Sequence, residues 1–240
     1  MAEPGPPIDK RLVTLKPPTT CTHPKTILCF FWLSTMLCVG LGWSYYYIVL
    51  RWWWIIFLLP FEMLAMGYAF IMSSFLLVKI AISRLERRSP PREGWFQKDS
   101  QDMKDYMARH FFKYYALWLA RNATFPWIDK IAYTMFGVKV GKTVVLHEAW
   151  VDTELVDIDD YAMVGMGSSV MSHCLYKDHV LVKKVMIDAQ TVVGAFTILA
   201  PGVHVGYGSV LGANSGTLLD QHIEPRFLYA GNPARKLKEV

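Results

Sequence analysis

IDAQTVVGAFTILAPGVHVGYGSVLG, residues 187–212, repeats itself every six residues. Ile187, Val193, Leu199, Val205 and Leu211 stand at the first place of successive units. Carried backward, the same step picks out Val140, Leu146, Asp152, Ile158, Val164 and Val170, with a break between Val170 and Ile187. Ten of these eleven places hold Val, Ile or Leu, types that make up a quarter of the chain, so chance is a poor account of the period. The second place of the unit holds Gly141, Asp159, Gly165, Asp188, Gly194, Ala200, Gly206 and Gly212. The fifth holds Val144, Ala162, Ser168, Cys174, Thr191, Thr197, Val203, Ser209 and Ser215.

A six-residue unit is one flat face of a triangular coil, a short strand followed by a corner. Its aliphatic residue points inward and stacks on its counterpart one coil away, at the strand spacing of about 4.8 Å. The second place reads as a position that must be small or accept a turn. Three units close a coil of about eighteen residues, and a single coil cannot bury its inner face, so several must stack. The spacing predicts about four coils over residues 138–240, interrupted by one excursion from Met171 to Met186.

Outward from this domain the composition changes. The chain has 240 residues and a net charge of +5; it is 53% hydrophobic and its mean hydropathy is +0.23, with the apolar excess concentrated before residue 85. Residues 1–25 are rich in Pro and Lys and read as a solvated tail. Ile27 to Leu50 carries no charge, and Trp52 to Val78 carries only Glu62. Each run is long enough to cross about 30 Å of hydrocarbon as a helix, so residues 26–84 are predicted to form a transmembrane hairpin. A signal peptide is a poorer reading of the first run, which is too long and has no small-residue cleavage site after it.

Lys10, Arg11, Lys16 and Lys25 precede the first span, and Lys79, Arg84, Arg87, Arg88 and Arg92 follow the second, with only Arg51 between. The positive-inside rule then places both termini and the repeat domain in the cytoplasm. Tyr45–Tyr47 and Trp52–Trp54 form an aromatic belt at the far interface. Pro60 and Glu62 mark either a kink or the true start of the second helix; a carboxylate within a span is a functional candidate. Residues 85–137 are expected to hold a linker (89–100) and an amphipathic helix, Gln101 to Arg121, that either lies among headgroups or packs on the next domain. Asn122-Ala123-Thr124 matches a glycosylation sequon, silent in the cytoplasm. Cys21, Cys29, Cys38 and Cys174 form no metal-ligand or disulfide spacing. The basic residues cluster beside apolar segments, pointing to membrane lipid as a partner; no nucleic-acid motif accompanies them.

The aliphatic–small–x–x–small pattern resembles that of the hexapeptide-repeat acyltransferases over roughly Val138 to Val240. The resemblance implies a left-handed parallel β-helix, which the general right-handed rule for parallel crossovers would not predict. It also implies a homotrimer with active sites in the clefts between prisms. Together with the apolar spans and Phe136-Gly137-Val138-Lys139-Val140-Gly141, the chain looks most like the membrane-associated C-terminal domain of poly-lysine-synthetase-type proteins, here without an adenylating module.

That resemblance implies transfer of an acyl group from acetyl-CoA or another acyl-CoA, with no metal. His173, at the start of the excursion, matches the family's general base, although the return Lys184-Val185-Met186-Ile187-Asp188 has Lys and Asp where the family has Pro and Gly. Such a base deprotonates the acceptor hydroxyl or amine as it attacks the thioester, so no nucleophilic Cys or Ser is needed. Asp178 could orient a histidine, and His179 lies in the same excursion; either residue could equally be plain loop. Cys174 reads as packing. Gly231-Asn232-Pro233-Ala234-Arg235-Lys236 resembles the family's closing element, which implies nucleotide contacts from Asn232, Pro233, Arg235 and Lys236. Small side chains at Gly194, Ala195, Gly212 and Ala213 would leave room for a pantetheine arm. Two other readings stay open. A metalloenzyme resembling γ-class carbonic anhydrase would draw three imidazoles from His173, His179, His204 and His222. A trimeric membrane scaffold without activity would need none of them.

Overall fold

A computed structural model describes residues 24–97, 100–125, 127–146, 148–177 and 179–240. The N-terminal tail up to His23 and Asp178 lie outside the described residues. Helix α1 (Pro24–Arg51) runs to a short 3₁₀ turn (Trp53–Leu58), and α2 (Leu59–Arg88) returns beside it. Pro60 falls in the first turn of α2, where a missing N–H costs nothing, so it starts the helix rather than kinking it. Glu62 sits in that first turn, hydrogen-bonded to Tyr45. Two stretches, Lys25–Val49 and Ile56–Arg88, are long and apolar enough to cross a membrane. Only 6% and 22% of their most apolar windows are buried, unlike the core helices of a globular domain. The hairpin is tied by Ser74 Oγ donating to Ser34 Oγ at 2.9 Å. α2 continues past the expected boundary at residue 84, and Phe75, Val78 and Ile82 turn into the globular core.

Residues 139–240 wind through three parallel walls. The first wall stacks 139–140, 156–158, 185–187, 204–205 and 222–223. The second stacks 163–164, 192–193, 210–211 and 227–230, closed by the antiparallel strand Arg235–Glu239. The third stacks 150–151, 169–170 and 198–199. Partners such as Val193↔Leu211 and Val205↔Ile223 are eighteen residues apart, as three hexapeptides per coil require. Ile158, Val164, Val170, Ile187, Val193, Leu199, Val205, Leu211 and Ile223 fill the interior and are essentially unexposed.

The corner chemistry differs from the expectation. The left-handed backbone recurs at the fourth place of the unit, at Tyr161, Gly167, Gln190, Phe196, Gly202, Gly208, Asn214, Asp220 and Arg226. Glycine at the second place answers a different demand: a Cβ on Gly165 or Gly194 would lie 2.6 Å or 2.5 Å from the backbone nitrogen of Ala195 or Ala213 on the next coil. Of the fifth-place residues, Ser168, Thr191, Thr197 and Ser209 are buried and donate their hydroxyls to backbone carbonyls, as Thr197 does to Gly212 at 3.0 Å, while Ser215 accepts from the Gly231 amide.

The aliphatic series also slips by one residue in the first coil. Val151, not Asp152, pairs with Val170 and fills the inner slot. Asp152 therefore moves to the corner, its N–H donating to Val170 as that of Met171 donates to Leu199.

The excursion is an antiparallel hairpin, His173–Tyr176 against His179–Val182, rather than an open loop. The segment read as a linker supplies its third strand, Gly94–Gln97, paired on His179–Val182. Cys174 belongs to this hairpin, opposite Leu181, and not to a hexapeptide corner. Helix α3 (Gln101–Arg121), capped by Ser100, is not a lone helix lying among headgroups. It buries Met103, Tyr106, Phe112 and Ala116 and is pinned through Glu154, which accepts from Arg109 at 2.8 Å and from Lys113 at 3.0 Å. Helix α4 (Ile128–Phe136) ends at Gly137 and leads into the first coil.

Candidate active site

His173 begins the hairpin one step beyond the third wall and is 1% exposed. Its Nδ1–H donates to Asp152 Oδ2 at 2.6 Å. The same oxygen accepts from the Ser172 amide at 2.7 Å and the Ser172 hydroxyl at 3.3 Å. The phase slip makes this meeting: an aspartate in the inner slot would have been lost in the hydrophobic column, whereas at the corner it faces the base of the hairpin. Burial pushes the Asp152 carboxyl up, but the charge and hydrogen bond of His173, with His110 and the Ser172 amide, outweigh it and hold the group at about 2. Burial works against an imidazolium at His173, yet the Asp152 charge and hydrogen bond prevail and raise it above its ordinary value. His173 Nε2 and Asp152 Oδ1 are buried without a hydrogen-bond partner.

Helix α3 covers the pair. Tyr106 and His110 stand one helical turn apart, and their rings lie 5.9 Å and 5.2 Å from that of His173. His110 keeps partial exposure and is the rim of the site, while Tyr106 is 3% exposed. Burial, only partly offset by Asp152, lowers His110 to about 4, so it is neutral near pH 7. A neutral imidazole there can accept a hydrogen bond at one ring nitrogen and donate one at the other without carrying charge.

Of the described residues among the expected catalytic ones, His173 stands beside Asp152 and His179 does not. His179 sits at the far end of the hairpin, opposite Tyr176, three residues and about 10 Å of strand from His173. Asp178 lies outside the described residues, and the carboxylate that meets His173 among the described ones is Asp152. Gly194 and Gly212 are small because of the coil above each: the next backbone lies against Gly194, and Ala230 Cβ lies 3.0 Å from a Cβ placed on Gly212. Ala195 and Ala213 lie at the surface corner. Asn232, Pro233, Arg235 and Lys236 are exposed at the end of the prism; Lys236 pairs with Glu224 at 2.6 Å. Cys174 is packed, with burial pushing its thiol up to about 12.

His204 and His222 stack on the first wall with rings 5.0 Å apart, and Asp188 Oδ1 meets His204 Nε2 at 3.0 Å, but His173 and His179 are elsewhere. Three imidazoles do not converge among the described residues. One group there could offer three ligand atoms, His110, Asp152 and His173, within 4.8 Å of one another; it contains two imidazoles, and one is already closed onto the carboxylate.

Asp152, His110 and Tyr106 were not singled out from the sequence. Asp152 did leave a signal, as the one polar residue in the aliphatic series. His110 and Tyr106 left none, since their role depends on where α3 packs.

A parallel β-helix of hexapeptide coils, with a buried histidine–aspartate pair at the root of a hairpin, is the class these observations define. No family model matches the chain. YvoF of Bacillus subtilis (strain 168), which bears a provisional acetyltransferase name, is 26% identical over 122 residues, covering 49% of this chain and 70% of its own. Among solved structures, the hexapeptide-repeat acetyltransferase VCA0836 from Vibrio cholerae aligns at TM-score 0.50 and 16% identity, covering 60% of this chain and 95% of its own. A maltose O-acetyltransferase from Clostridium difficile 630 aligns at TM-score 0.50 and 15% identity, covering 62% and 93%. These likenesses give the fold as the left-handed β-helix seen in hexapeptide-repeat acetyltransferases.

Proposed function

We propose that the chain is a membrane-anchored, acyl-CoA-dependent acyltransferase in which His173 is the general base and Asp152 its orienting partner. One observation carries the reading: Asp152 fixes Nδ1 of His173 at 2.6 Å, leaving the buried Nε2 without a partner. Nε2 takes the proton of an acceptor hydroxyl or amine as the acceptor oxygen or nitrogen attacks the thioester carbonyl. Asp152 stabilises the imidazolium that forms. Collapse of the tetrahedral intermediate breaks the C–S bond, and Nε2–H returns the proton to the leaving thiolate. A backbone N–H at a coil corner supplies the oxyanion donor.

The named relatives support an acetyl donor, and VCA0836 has also been solved with acetyl coenzyme A. Asn232, Pro233, Arg235 and Lys236, with the surface alanines Ala195 and Ala213, are the proposed CoA contacts. A homotrimer is supported by the outward side of the second wall, an aliphatic ladder in which Val145, Met163 and Val192 are 44%, 46% and 37% exposed. Both termini and the β-helix are assigned to the cytoplasm, from the flanking charges. The anchor favours a lipid-linked acceptor.

A trimeric scaffold without activity is the second reading, favoured by the closure of Tyr106 and His110 over His173. Purified protein incubated with radiolabelled acetyl-CoA and a membrane-lipid extract separates the two. Label transfer that disappears in His173→Ala is expected; retention of neither CoA nor label by the wild-type protein would leave the scaffold.

A further inference from the structure

Phe125, between α3 and α4, lies flat on Tyr68 of α2, with centroids 5.4 Å apart and planes at 16°. Its amide donates to the Tyr68 hydroxyl at 3.1 Å, and Trp127 stacks on its other side at 4.6 Å. The α3–α4 corner is thereby docked only nine residues from the start of α2 at Leu59. The apolar span begins three residues earlier, at Ile56, so the twelve residues to Tyr68 cover about 18 Å. The hydrocarbon core of a bilayer is about 30 Å thick. A bilayer crossed by α1 and α2 therefore does not fit wholly beyond this corner; it must extend past it.

The corner suits that position. Trp118, Trp127 and Ile131 are 52%, 57% and 46% exposed, while Ile128, Ala132 and Tyr133 turn inward. The nearest cation, Arg121, is exposed but engaged: it donates to the Tyr133 hydroxyl at 2.8 Å and the Ala149 carbonyl at 2.6 Å, and lies 4.9 Å from the Trp150 ring. Lys130 has a stem long enough to carry its ammonium to the headgroups. Trp and Tyr beside a cation are the usual furniture of a membrane interface.

We propose that the corner formed by Trp118, Phe125, Trp127 and Ile131 is embedded in the lipid of the bilayer that α1 and α2 cross. This rests on the membrane-anchored reading above and adds where the globular part meets the bilayer. His110, Tyr114 and Trp118 follow at four-residue steps on one face of α3, so a stripe runs from the rim of the site to the lipid. Its eight residues cover about 12 Å. The acceptor is then an amphiphile whose polar end reaches His173 while its chains stay in the near leaflet.

The test uses the full chain in liposomes, with native cysteines replaced by alanine and an environment-sensitive fluorophore on Trp127→Cys or, as a solvent control, on Tyr161→Cys at a β-helix corner. Quenching at position 127 by doxyl-labelled phosphatidylcholine, with an iodide quenching constant several-fold below that at position 161, is the expected result. Equal iodide access at the two positions, in protein that resists carbonate extraction, overturns the embedded corner and leaves the anchor standing. Release of the chain by carbonate overturns both.

Discussion

Asp152 and His173 are 21 residues apart in the chain and 2.6 Å apart in space, joined by a one-residue slip in the coil and by the root of a hairpin. The slip gives the carboxylate a corner to stand on; the hairpin turns the imidazole onto it. The first consequence concerns pH. A raised His173 means that the free base appears only above the ordinary imidazole range, so kcat/KM should climb with pH to a midpoint above 6.5. In Asp152→Asn burial is opposed only by the charge of Glu154, and the midpoint should shift to lower pH. Its plateau should also fall, by up to the 10²–10⁴ that general base catalysis contributes. A pH–rate profile of both proteins checks this; an unmoved midpoint would detach Asp152 from the chemistry.

His110 predicts an acid weakness. Its folded value near 4 lies below the ordinary 6.5, so the unfolded chain binds the proton first as pH falls. His173, raised instead, contributes its full stabilisation below 6.5 and does not change further there. Asp152 remains charged to about 2. Between pH 6.5 and 5 the His110 contribution should thus cost up to about 2 kcal/mol. Denaturant titrations of wild type and His110→Gln at both values should show a shallower pH dependence in the variant.

The buried ions under α3 predict a larger loss. Side chains of Arg109, Lys113 and Glu154 are 4%, 1% and 4% exposed. Glu154→Ala would leave two cations buried without their shared carboxylate, at about 3–5 kcal/mol. Protease cutting within residues 98–127 should accelerate as α3 loosens, measurable by limited proteolysis.

Two glycines separate the two corner demands. Gly194→Ala forces a methyl into the next coil and should cost about 1–3 kcal/mol. Gly208→Ala meets nothing nearer than Arg226 Cγ at 3.7 Å and pays only for its positive φ of 63°, about 1–2 kcal/mol. Thermal melts of the two variants should rank them in that order.

Much of the solenoid was legible because its period is local: six residues return the same demand, and Val193 or Leu211 meets it whatever lies elsewhere. Half of the candidate site, His173, was legible from the break in that period together with the family resemblance. The rest was not. Asp152 sat in plain view as an exception, but a strict six-residue count hid the slip that gives Val151 the inner slot. His110 belongs to a helix outside the repeat, and no periodicity says which wall that helix covers. The need for a small residue at the second place is legible, but not its cause, because local propensity names turns more readily than the backbone of a neighbouring coil.

The walls continue unbroken across the hairpin. Val170 pairs with Leu199, 29 residues on, where a bare coil would need 18, so eleven residues are surplus to the architecture. A chain spliced to remove those eleven would keep its column of valines and isoleucines and lose its imidazole. Scaffold and reagent are thus separate modules here, and a lineage could discard or exchange the second without rebuilding the first.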